Sequence, residues 1–556
     1  MNWPIRCLVR KANIEEDEIL PATTSKPKAL RSKEITWVEG LRGLAALGVL
    51  SNHLSMCYAN YLFRPCCAPI AGELSPENAN QAPHLFQLPI FRLVAAGEAF
   101  VALFLVLTGL TTAYKPLKYA RADQVEKAYS SVATSSFRKL PRLFFPATVA
   151  TVLSWAVCNL GGYETSRNGD AWWMIALTPT QSIGPWYQAF VDLWWAIWRP
   201  WMPYGVSPYD QPQWALQFFV EAGMITFLAV LGTARLSTGW RIVVLSAWAY
   251  WSGHLSAIIR DPFVGYCTLL GMVLAEINFA VSSQRLYNKL ASKIIGCLIV
   301  ILGLIAMSYP RDLPERASWS YGLRELGEVV LPFNDSKYKP WVSLGCLVFI
   351  LGIILSQPIQ KALSIAPMVW LGKISFPLYL LHGTFIRSLF AWILFAGQEL
   401  SPSARDENVL KYPLPSNIWI AFSVICLMLP LLISCHLWIK YLEPCFDQMT
   451  LWMESVMLKQ TEPRQHRAWR LGWFARIKAM LQAILLVVRH GGLPARTCPD
   501  SYSVDLESEN GFLLQETVAD ACSTSLLYAS DINLKDTSPY RDSDNNEETE
   551  RCLGKP

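Results

Sequence analysis

An arginine and a histidine stand eleven residues apart in an apolar stretch near the start of the chain. Residues 40–53 read GLRGLAALGVLSNH, and this spacing predicts one helix that carries Arg42 and His53 on the same face, about 16 Å apart along its axis. Ionisable groups are costly inside a membrane and indicate a functional site there. A neutral imidazole can take a proton from a hydroxyl group, so His53 is a candidate general base. The alternatives are a packing histidine and, for Arg42, a cation at the helix end that reaches toward water.

Two glutamates on later apolar segments could assist such a histidine. Glu98 lies near the start of the second segment, and His53 lies near the end of the first. Consecutive spans run in opposite directions, so we expect the two residues at similar depth in the membrane. A carboxylate beside an imidazole orients it and raises its basicity. Glu221 lies within the run FFVEAG of the fourth segment and should line a cavity rather than face lipid. A solvated carboxylate at position 98 and a structural ion pair at position 221 are the alternatives.

Two further parts of the sequence carry residues that could take part in chemistry, a histidine in the ninth segment and a basic cluster before the third. His382 falls near the middle of the ninth segment, in YLLHG, where it is either a packing residue or part of the same cavity. Arg138, Lys139 and Arg142 precede the third segment. Cations at a helix N-terminus form an anion site, because the helix dipole adds to their charge, and a phosphorylated donor such as acyl-CoA would suit it. The alternative is that these cations only mark the cytosolic side of the membrane.

The composition indicates the class of fold that must position these residues. Of the 556 residues, 52% are hydrophobic and 16% are charged. Soluble domains contain about 25% charged residues, so the chain is predicted to be an integral membrane protein. A net charge of +5 gives no reason to expect nucleic acid as a partner, and fourteen cysteines without a Cys-x-x-Cys pair do not indicate a metal site. We therefore predict an all-α, polytopic transmembrane helix bundle.

Ten apolar segments are long enough to cross a bilayer, which predicts about ten spans. They cover residues 36–58, 93–114, 143–160, 214–234, 241–259, 264–281, 294–309, 341–356, 371–395 and 416–440. Lys and Arg are concentrated in alternate connections, above all in 115–142, so the positive-inside rule places those connections and both termini in the cytosol. The remaining connections are predicted to be lumenal loops, and one of them holds an N-glycosylation triplet at Asn334.

The character of the sequence changes at both ends of this apolar region. Residues 1–35 are predicted to be a polar cytosolic segment, and residues 36–445 form the transmembrane domain. Residues 446–494 mix basic and aromatic side chains, which is typical of an amphipathic segment on a membrane surface. Residues 495–556 are acidic and Ser-rich, and we predict a disordered cytosolic tail.

Four motifs follow one another between residues 36 and 445. They are LRGLAA with His53, PIFR followed by Gly97 and LFLVLTG, FRKLPRLFFP at the entry to the third segment, and GKISFPLYLLHG in the ninth. Together they resemble the acyltransferase 3 family of integral-membrane O-acyltransferases, and most closely its fungal branch. The chain departs from the pattern of that branch at Glu98, where histidine is common, at Thr108, where serine is usual, and in a longer spacing between Trp214 and Glu221.

The resemblance implies the transfer of an acyl group, commonly acetyl from acetyl-CoA, to a hydroxyl of a sugar, a lipid or a small metabolite. It matches Arg42 and His53 to the essential arginine–histidine pair of the family. His53 is then the general base, assisted by Glu98 or Glu221, beside a cavity that also holds His382. The residues expected to bind the CoA phosphates are Arg42, Arg138 and Arg142.

The implied partners are acyl-CoA as a co-substrate, a small-molecule or lipid alcohol as the acceptor, and membrane lipid, with no bound cofactor and no metal. We expect residence in the endoplasmic reticulum or another endomembrane. Two further hypotheses stay open at this stage. One is a transporter in which buried histidine and glutamate relay protons, and the other is an inactive scaffold that keeps the fold.

Overall fold

Helices make up nearly all of the part of the chain that the computed structural model describes. That part comprises residues 35–66, 84–171, 174, 177–202, 205–254, 261–283, 289–331, 337–403 and 408–457. The predictions for the N-terminal segment, Asn334, the acidic tail and residues 458–494 of the amphipathic segment lie outside these residues. Two strands of two residues each, β1 (Ser401–Pro402) and β2 (Leu410–Lys411), pair antiparallel. The prediction of an all-α fold is therefore confirmed.

The α-helices of the described residues are α1 (Thr36–Tyr58), α2 (Gly97–Arg121), α3 (Val125–Asn159), α4 (Glu164–Arg167), α5 (Trp186–Trp198), α6 (Leu216–Thr233), α7 (Thr238–His254), α8 (Pro262–Ser283), α9 (Leu290–Met307), α10 (Ser318–Val330), α11 (Tyr338–Leu355), α12 (Gln357–Leu363), α13 (Ala366–Lys373), α14 (Ser375–Phe385), α15 (Ala391–Leu394), α16 (Asn417–Leu437) and α17 (Glu443–Met457). Short 3₁₀ turns lie at Asn60–Phe63, Leu85–Gln87, Phe91–Ala95, Arg199–Trp201, Gln211–Ala215 and Pro314–Arg316. Turns of π-helix at Ile386–Phe390 and Trp438–Leu442 join α14 to α15 and α16 to α17.

Each of the ten predicted spans falls on a helix. Among the described residues, 8 helical stretches are long and apolar enough to cross a membrane. They are Gly97–Arg121, Val125–Asn159, Gln211–Thr233, Phe263–Ser283, Leu290–Met307, Tyr338–Leu355, Ser375–Leu394 and Asn417–Met457. The other two predicted spans fall on α7, of 17 residues, and on α1, of 23 residues, in which polar side chains such as Arg42 and His53 lower the mean hydropathy. The protein is a multi-pass membrane bundle.

The basic connection 115–142 is almost entirely helical, whereas hydropathy alone predicted a loop. α2 continues to Arg121 and α3 begins at Val125, so the two helices are separated by residues 122–124. Charged residues end an apolar run but need not end a helix, and for this reason the prediction of a loop over 115–142 was wrong. Arg138 and Arg142 consequently lie within the 35 residues of α3, held in fixed register, and not on a flexible connection.

α2 lies at the centre of the bundle, where it contacts α1, α3, α6, α8 and α11. Its contact with α8 is close because glycines on both helices face the backbone of the other. A Cβ atom at Gly109 would overlap the carbonyl oxygen of Thr268, and one at Gly271 would overlap that of Val106. Small residues allow this approach of helix backbones in membranes, where packing rather than hydrophobic burial drives association.

An aromatic helix, α5, lies in the region 161–213, which was predicted to be a lumenal loop. Its backbone accepts a hydrogen bond at Ala189 from the indole of Trp155, near the end of α3 (2.9 Å). Farther along, the ring of Trp198 packs on Phe144 of α3, with centroids 5.4 Å apart. α5 therefore runs along α3 from its end toward its interior, with Trp186 largely exposed (79%).

One cysteine in the connection after α1 bears on the predicted sidedness of the bundle. Cys66, in the connection that follows α1, is disulfide-bonded. Disulfides persist in oxidising compartments, so this observation fits a lumenal position for that connection.

α1 packs against α2, α13 and α14, and this packing brings the end of α1 that carries His53 against the helix that carries His382.

Candidate active site

Two histidines from opposite ends of the sequence meet between α1 and α14. The Nε2 atom of His382 lies 3.2 Å from the Nδ1 atom of His53, and the ring centroids are 4.8 Å apart. His382 is buried (1% exposed), and its own Nδ1 atom lies 3.1 Å from the carbonyl oxygen of Leu378. His53 is half-buried, and its Nδ1 atom also lies 2.9 Å from the carbonyl oxygen of Val49.

These contacts determine where the protons lie when both rings are neutral. A carbonyl oxygen only accepts hydrogen bonds, so Nδ1 of His382 must donate to Leu378, which leaves Nε2 of His382 as an acceptor. Nδ1 of His53 then donates toward Val49 and His382 together. Nε2 of His53 is left as the basic nitrogen, and it has no hydrogen-bond partner within the described residues. The geometry thus prepares one nitrogen to accept a proton.

His53 lines a cavity that we call the histidine cavity, of about 830 Å³ including its open part. Its walls come from α1, α2, α11, α14, the 3₁₀ turn Gln211–Ala215 and the other connections on the predicted lumenal side: Val49, Asn52, His53, Met56, Phe63, Arg92, Ala95, Gly97, Glu98, Val101, Gln211, Pro212, Trp214, Arg311, Asp312, Tyr338 and Tyr379. His382 is not part of this wall. It contacts the Nδ1 side of the His53 ring from behind the wall, and the cavity lies on the other side of that ring.

The structure brings Glu98 to this cavity but gives its carboxylate a partner other than His53. Oε1 of Glu98 lies 3.7 Å from Nη1 of Arg311, in the connection after α9. The expected orienting contact between Glu98 and the imidazole is absent among the described residues, and His382 takes that position. Glu221 lies partly buried on α6 and is not part of the wall of the histidine cavity.

A second, larger cavity opens at the other end of the bundle, and we call it the vestibule. It has a volume of about 2240 Å³ including its open part. Its charged lining consists of seven cations and two carboxylates: Arg42, Lys115, Lys127, Arg138, Lys139, Arg142, Lys373, Glu39 and Glu443. All three predicted phosphate ligands, Arg42, Arg138 and Arg142, are therefore brought together at the predicted cytosolic end. The excess of positive charge suits a polyanion.

Carboxylates already contact each of these three arginines. The Glu39 carboxylate lies 3.7 Å from Arg42, one turn away on α1. Nε and Nη2 of Arg138 both lie 2.7 Å from Oε2 of Glu454, on α17. Nε of Arg142 lies 3.6 Å from Oδ1 of Asp447, also on α17. The pairs on α17 hold that helix to α3.

A third cavity, the inner cavity, lies between the other two and adjoins both. It shares Arg42, Lys139 and four further residues with the vestibule, and it shares Tyr379 with the histidine cavity; its walls are Arg42, Phe104, Leu107, Thr108, Thr111, Lys139, Leu143, Phe219, Ser375, Phe376 and Tyr379. The Tyr379 hydroxyl donates a hydrogen bond to the carbonyl oxygen of Pro212, on the edge of the histidine cavity. Tyr379 therefore stands between the cationic end of the passage and His53.

Two residues with a place in this passage were not selected from the sequence. Lys139 was recognised only as one of a basic cluster, yet its side chain turns inward and lies against Gly223 of α6. Tyr379 lies three residues before His382 in the motif GKISFPLYLLHG, and helical periodicity places the two on neighbouring parts of one face. That spacing was the available signal for Tyr379, whereas nothing in the sequence indicates the depth of Lys139.

A buried ion pair supports the helix that carries His382. Nη2 of Arg387 lies 3.9 Å from Oδ1 of Asp210, and the same guanidinium donates to the carbonyl oxygen of Tyr209 (2.6 Å). Gly383 is packed against both side chains. Burial raises the pKa of Asp210 to about 7, although the charge of Arg387 and a hydrogen bond from Gln213 lower it; Asp210 precedes the span that begins at Gln211. The pair fixes the end of α14 against the connection before α6.

No group of three or more His, Cys, Asp or Glu side chains within the described ranges could hold a metal ion.

The fold and the site define a multi-pass membrane protein in which three adjoining cavities lie between a basic vestibule and a pair of histidines. A family model described as an acyltransferase domain matches residues 35–439, so the chain belongs to the acyltransferase 3 family and is a membrane-bound acyltransferase. It is 24% identical over 398 residues to O-acetyltransferase PaAT-1 of Phomopsis amygdali, an alignment that covers 64% of this chain and 72% of that relative. No solved structure matches the chain.

Proposed function

We propose that this protein transfers an acetyl group from acetyl-CoA, bound at the cytosolic vestibule, to the hydroxyl group of an acceptor in the histidine cavity. The observation that carries the proposal is the sharing of walls among three cavities. Arg42 and Lys139 belong to both the vestibule and the inner cavity, and Tyr379 belongs to both the inner cavity and the histidine cavity. A donor that enters at one end can thereby present its reactive group to an acceptor at the other.

The vestibule supports a donor with several phosphates. Its cations come from α1, α2, α3 and α13, so a ligand that bridges them would contact most of the helices around the passage. Charge-assisted bonds from Arg and Lys to phosphate oxygens are among the stronger polar contacts in proteins. CoA carries its phosphates at one end and its thioester at the other, and therefore suits an arrangement of cavities in which most of the cations line the vestibule.

The inner cavity supports a slender, mainly apolar arm. Its walls include the apolar side chains of Phe104, Leu107 and Phe219, together with the hydroxyl groups of Thr108 and Thr111. These hydroxyl groups donate hydrogen bonds to carbonyl oxygens of α2 one turn earlier, at 2.8 and 2.7 Å. Their polarity is therefore satisfied within the helix. Such a lining suits the pantetheine arm of CoA, which has amide groups but no charge.

His53 would perform the proton transfers of the reaction. Nε2 takes the proton of the acceptor hydroxyl while the oxygen attacks the thioester carbon, which forms the ester C–O bond. The C–S bond then breaks, and the sulfur leaves with the proton from Nε2 as the free thiol of CoA. His382 accepts a hydrogen bond from Nδ1 of His53 throughout and stabilises the imidazolium that exists between the two transfers. His382 is thus a positioning residue for the base.

Acetyl is the proposed acyl group because the matched relative bears the name O-acetyltransferase. The acceptor is a small-molecule, lipid or sugar alcohol that reaches the histidine cavity from the lumen or from the bilayer. In the endoplasmic reticulum or another endomembrane, acetyl-CoA would reach the vestibule from the cytosol, and the acceptor would reach the histidine cavity from the lumen or the bilayer. Glu98 lines the histidine cavity and is proposed to contact the acceptor there, whereas Glu221 does not line that cavity and is assigned no part in the proton transfer.

The test is acetyl transfer by the purified protein in proteoliposomes with labelled acetyl-CoA outside and candidate alcohols on either side. We expect ester formation and release of CoA, both lost in His53→Ala. Movement of an alcohol across the membrane without consumption of acetyl-CoA would instead support the transporter hypothesis. Retention of wild-type turnover in His53→Ala would overturn the proposed mechanism.

A further inference from the structure

The aromatic helix α5 lies alongside a membrane-spanning helix, although it belongs to the region 161–213 that was predicted to be a lumenal loop. Near its start, Ala189 accepts a hydrogen bond from the indole of Trp155, and at its end Trp198 packs on Phe144. Trp155 and Phe144 both belong to the apolar part of α3 that was predicted as the third span. The eleven residues between them cover about 16 Å of helix, more than half of the ~30 Å hydrocarbon core. α5 therefore lies at the depth of the bilayer.

After α5 the chain returns to the end of α3 from which it came. The ring of Trp201 packs on Phe144, with centroids 5.6 Å apart, so the chain is still at the deep end of α5 there. Eight residues later, the carbonyl oxygen of Tyr209 accepts a hydrogen bond from Ser154, close to the predicted lumenal end of α3. The chain thus enters and leaves on the same side of the membrane, as in a re-entrant hairpin.

We propose that α5 is a re-entrant membrane helix, inserted from the predicted lumenal side, whose outward face contacts the acyl chains of bilayer lipid. This face is a stripe of apolar side chains that recur at helical spacing and are 38–79% exposed: Trp186, Phe190, Val191, Trp194, Trp195 and Trp198. The contact with lipid is independent of the acetyl transfer proposed above, because it follows from packing and exposure alone.

The charged groups of this helix lie away from the stripe. Asp192 accepts a hydrogen bond from Gln188 (2.9 Å), and helical spacing places both on one face with Ala196, which is fully buried. Arg199 follows α5 at its deep end, where the long side chain of an arginine can reach toward the cytosolic headgroups. Tryptophan is enriched at both surfaces of a bilayer, and Trp186 and Trp198 stand at the two ends of α5.

α5 also covers the segment that returns behind it. Ala196 lies in one apolar cluster with Tyr209, and Tyr209 and Asp210 are at most 4% exposed. Non-helical backbone is tolerated at membrane depth only where protein or a water-filled cavity surrounds it. The next residues of this segment, Gln211 and Pro212, belong to the wall of the histidine cavity. The lipid-facing helix therefore lies between the bilayer and the segment that leads into that wall.

Bilayer lipid fits this face better than a second copy of the chain does. A standard interface between proteins involves about 20–30 residues on each side, whereas α5 has 13 residues and presents one stripe. Acyl chains require only an apolar surface at membrane depth, and the stripe provides one.

Electron paramagnetic resonance of a nitroxide on α5 tests this assignment in phosphatidylcholine nanodiscs. The ketone-bearing amino acid p-acetylphenylalanine replaces Trp194 and carries the label, because ketone chemistry leaves the cysteines of the chain unlabelled. Collisions with molecular oxygen report contact with acyl chains, and collisions with a polar nickel chelate report contact with water. The same label at Leu228, 68% exposed on the spanning helix α6, is the lipid control. The label at Arg316, exposed in a predicted lumenal connection, is the aqueous control.

The label at Trp194 should match the one at Leu228. Its oxygen collisions should be frequent, and its nickel collisions at least about 10-fold rarer than at Arg316, because a polar complex is excluded from hydrocarbon. The nickel collision frequency at Trp186 should lie between those at Trp194 and Arg316, and the reverse order along α5 would contradict insertion from the lumenal side.

Two results at Trp194 would overturn the assignment. Nickel collisions as frequent as at Arg316 would show that α5 lies in water. Rare collisions with both reagents would show that a second copy or another part of the protein covers the stripe. Size-exclusion chromatography confirms that each labelled protein is folded and monodisperse. Phe190, where the new amino acid resembles the natural one most closely, provides the same measurement if the Trp194 variant does not fold.

Discussion

The Nε2 atom of His382 lies 3.2 Å from the Nδ1 atom of His53, and the two rings join α14 to α1 at the inner wall of the histidine cavity. Carbonyl oxygens at Val49 and Leu378 fix the tautomer of each ring, so the remaining nitrogen of His53 is basic. In the proposed mechanism, the neutral imidazole of His382 has the role that an aspartate has in a serine-protease triad, which is to orient a histidine and stabilise its charged form.

The first prediction concerns the two histidines. His53→Ala should lower kcat for acetyl transfer about 10²–10⁴-fold, because a general base contributes about that factor. His382→Phe should lower kcat less, since it leaves the base in place but removes the acceptor at Nδ1. His382→Gln should retain more activity than His382→Phe, because the side-chain oxygen of glutamine can accept the same hydrogen bond. Turnover of labelled acetyl-CoA measures all three.

A packing role for His382 would give a different pattern. Phenylalanine fills the buried site as well as glutamine does, so equal activity in His382→Phe and His382→Gln would show that the ring only fills space. Melting temperatures of both variants provide the control, because a loss of activity that follows a loss of folded protein would carry no information about the hydrogen bond.

The second prediction concerns Tyr379 as the partition between the inner cavity and the histidine cavity. Tyr379→Ala should open the passage, so that water reaches the thioester and hydrolysis of acetyl-CoA without acceptor rises relative to transfer. Tyr379→Phe keeps the ring and should keep this ratio, while it costs about 1 kcal/mol of stability through the lost bond to Pro212. Measurement of free acetate and ester in the same reaction separates the outcomes, and equal ratios in all three proteins would contradict the partition.

The third prediction concerns the entrance to the inner cavity. Arg42→Gln and Lys139→Met should each raise KM for acetyl-CoA about 10-fold, since charge-assisted hydrogen bonds contribute roughly 1.5–3 kcal/mol. Lys361→Gln removes an exposed cation from the same predicted side but outside the vestibule, and it should leave KM unchanged. Acetyl-pantetheine, which carries no phosphate, is the matched donor. With this donor, the KM values of the variants and the wild type should be equal. A difference in KM that remains would show that the cations do not contact phosphate.

Much of the bundle follows from hydropathy, because a membrane helix must satisfy its backbone internally and is therefore long, apolar and easy to locate. The placing of Arg42 and His53 on one helix face follows from helical periodicity. Helical periodicity does not indicate which other helix packs against each face. His53 and His382 are 329 residues apart in the sequence, and Glu98 and Arg311 are 213 residues apart, so neither pair could be predicted from local spacing.

The boundary of α3 shows a second limit of the sequence. Arg138 and Arg142 were assigned to a loop because charge interrupts the apolar pattern, yet the helix continues through them. Helical register determines that both arginines face α17 and the vestibule. The aromatic helix α5 was missed for the opposite reason: its 13 residues are too few for a span, so apolar content alone did not identify it.

The fourth prediction concerns the contact between α2 and α8. Gly109→Ala and Gly271→Ala should each destabilise the bundle by about 1–3 kcal/mol, because the added methyl group would overlap a backbone carbonyl that cannot move independently of its helix. Gly239→Ala, on α7, has no heavy atom within 4 Å of the added Cβ and serves as the control. It should be neutral or slightly stabilising, since alanine favours helix. Thermal unfolding in one detergent compares them, and equal melting temperatures would contradict the close contact.

The fifth prediction concerns the carboxylates that α17 presents to the vestibule. If Arg138 binds a CoA phosphate, the Glu454 carboxylate competes for it, since Nε and Nη2 of Arg138 both contact Glu454 at 2.7 Å. Glu454→Gln keeps the shape and removes the charge, and it should lower KM for acetyl-CoA about 2–5-fold, the equivalent of a partly exposed ion pair. Arg138→Gln should raise KM. The effect of Asp447→Asn should be smaller, because its pair with Arg142 is longer (3.6 Å) and both side chains are more than half exposed.

Salt dependence distinguishes competition from a structural clasp. Both KM changes should shrink as ionic strength rises, because salt screens exposed charges over a Debye length of about 10 Å at 0.1 M. Glu315→Gln, which breaks an exposed pair with Arg324 at the other end of the bundle, is the matched control and should leave KM unchanged. If Arg138→Gln and Glu454→Gln both lower the melting temperature and neither alters KM, the pair serves only to hold α17 against α3, and the phosphates of the donor must then rely on Arg42 and Lys139.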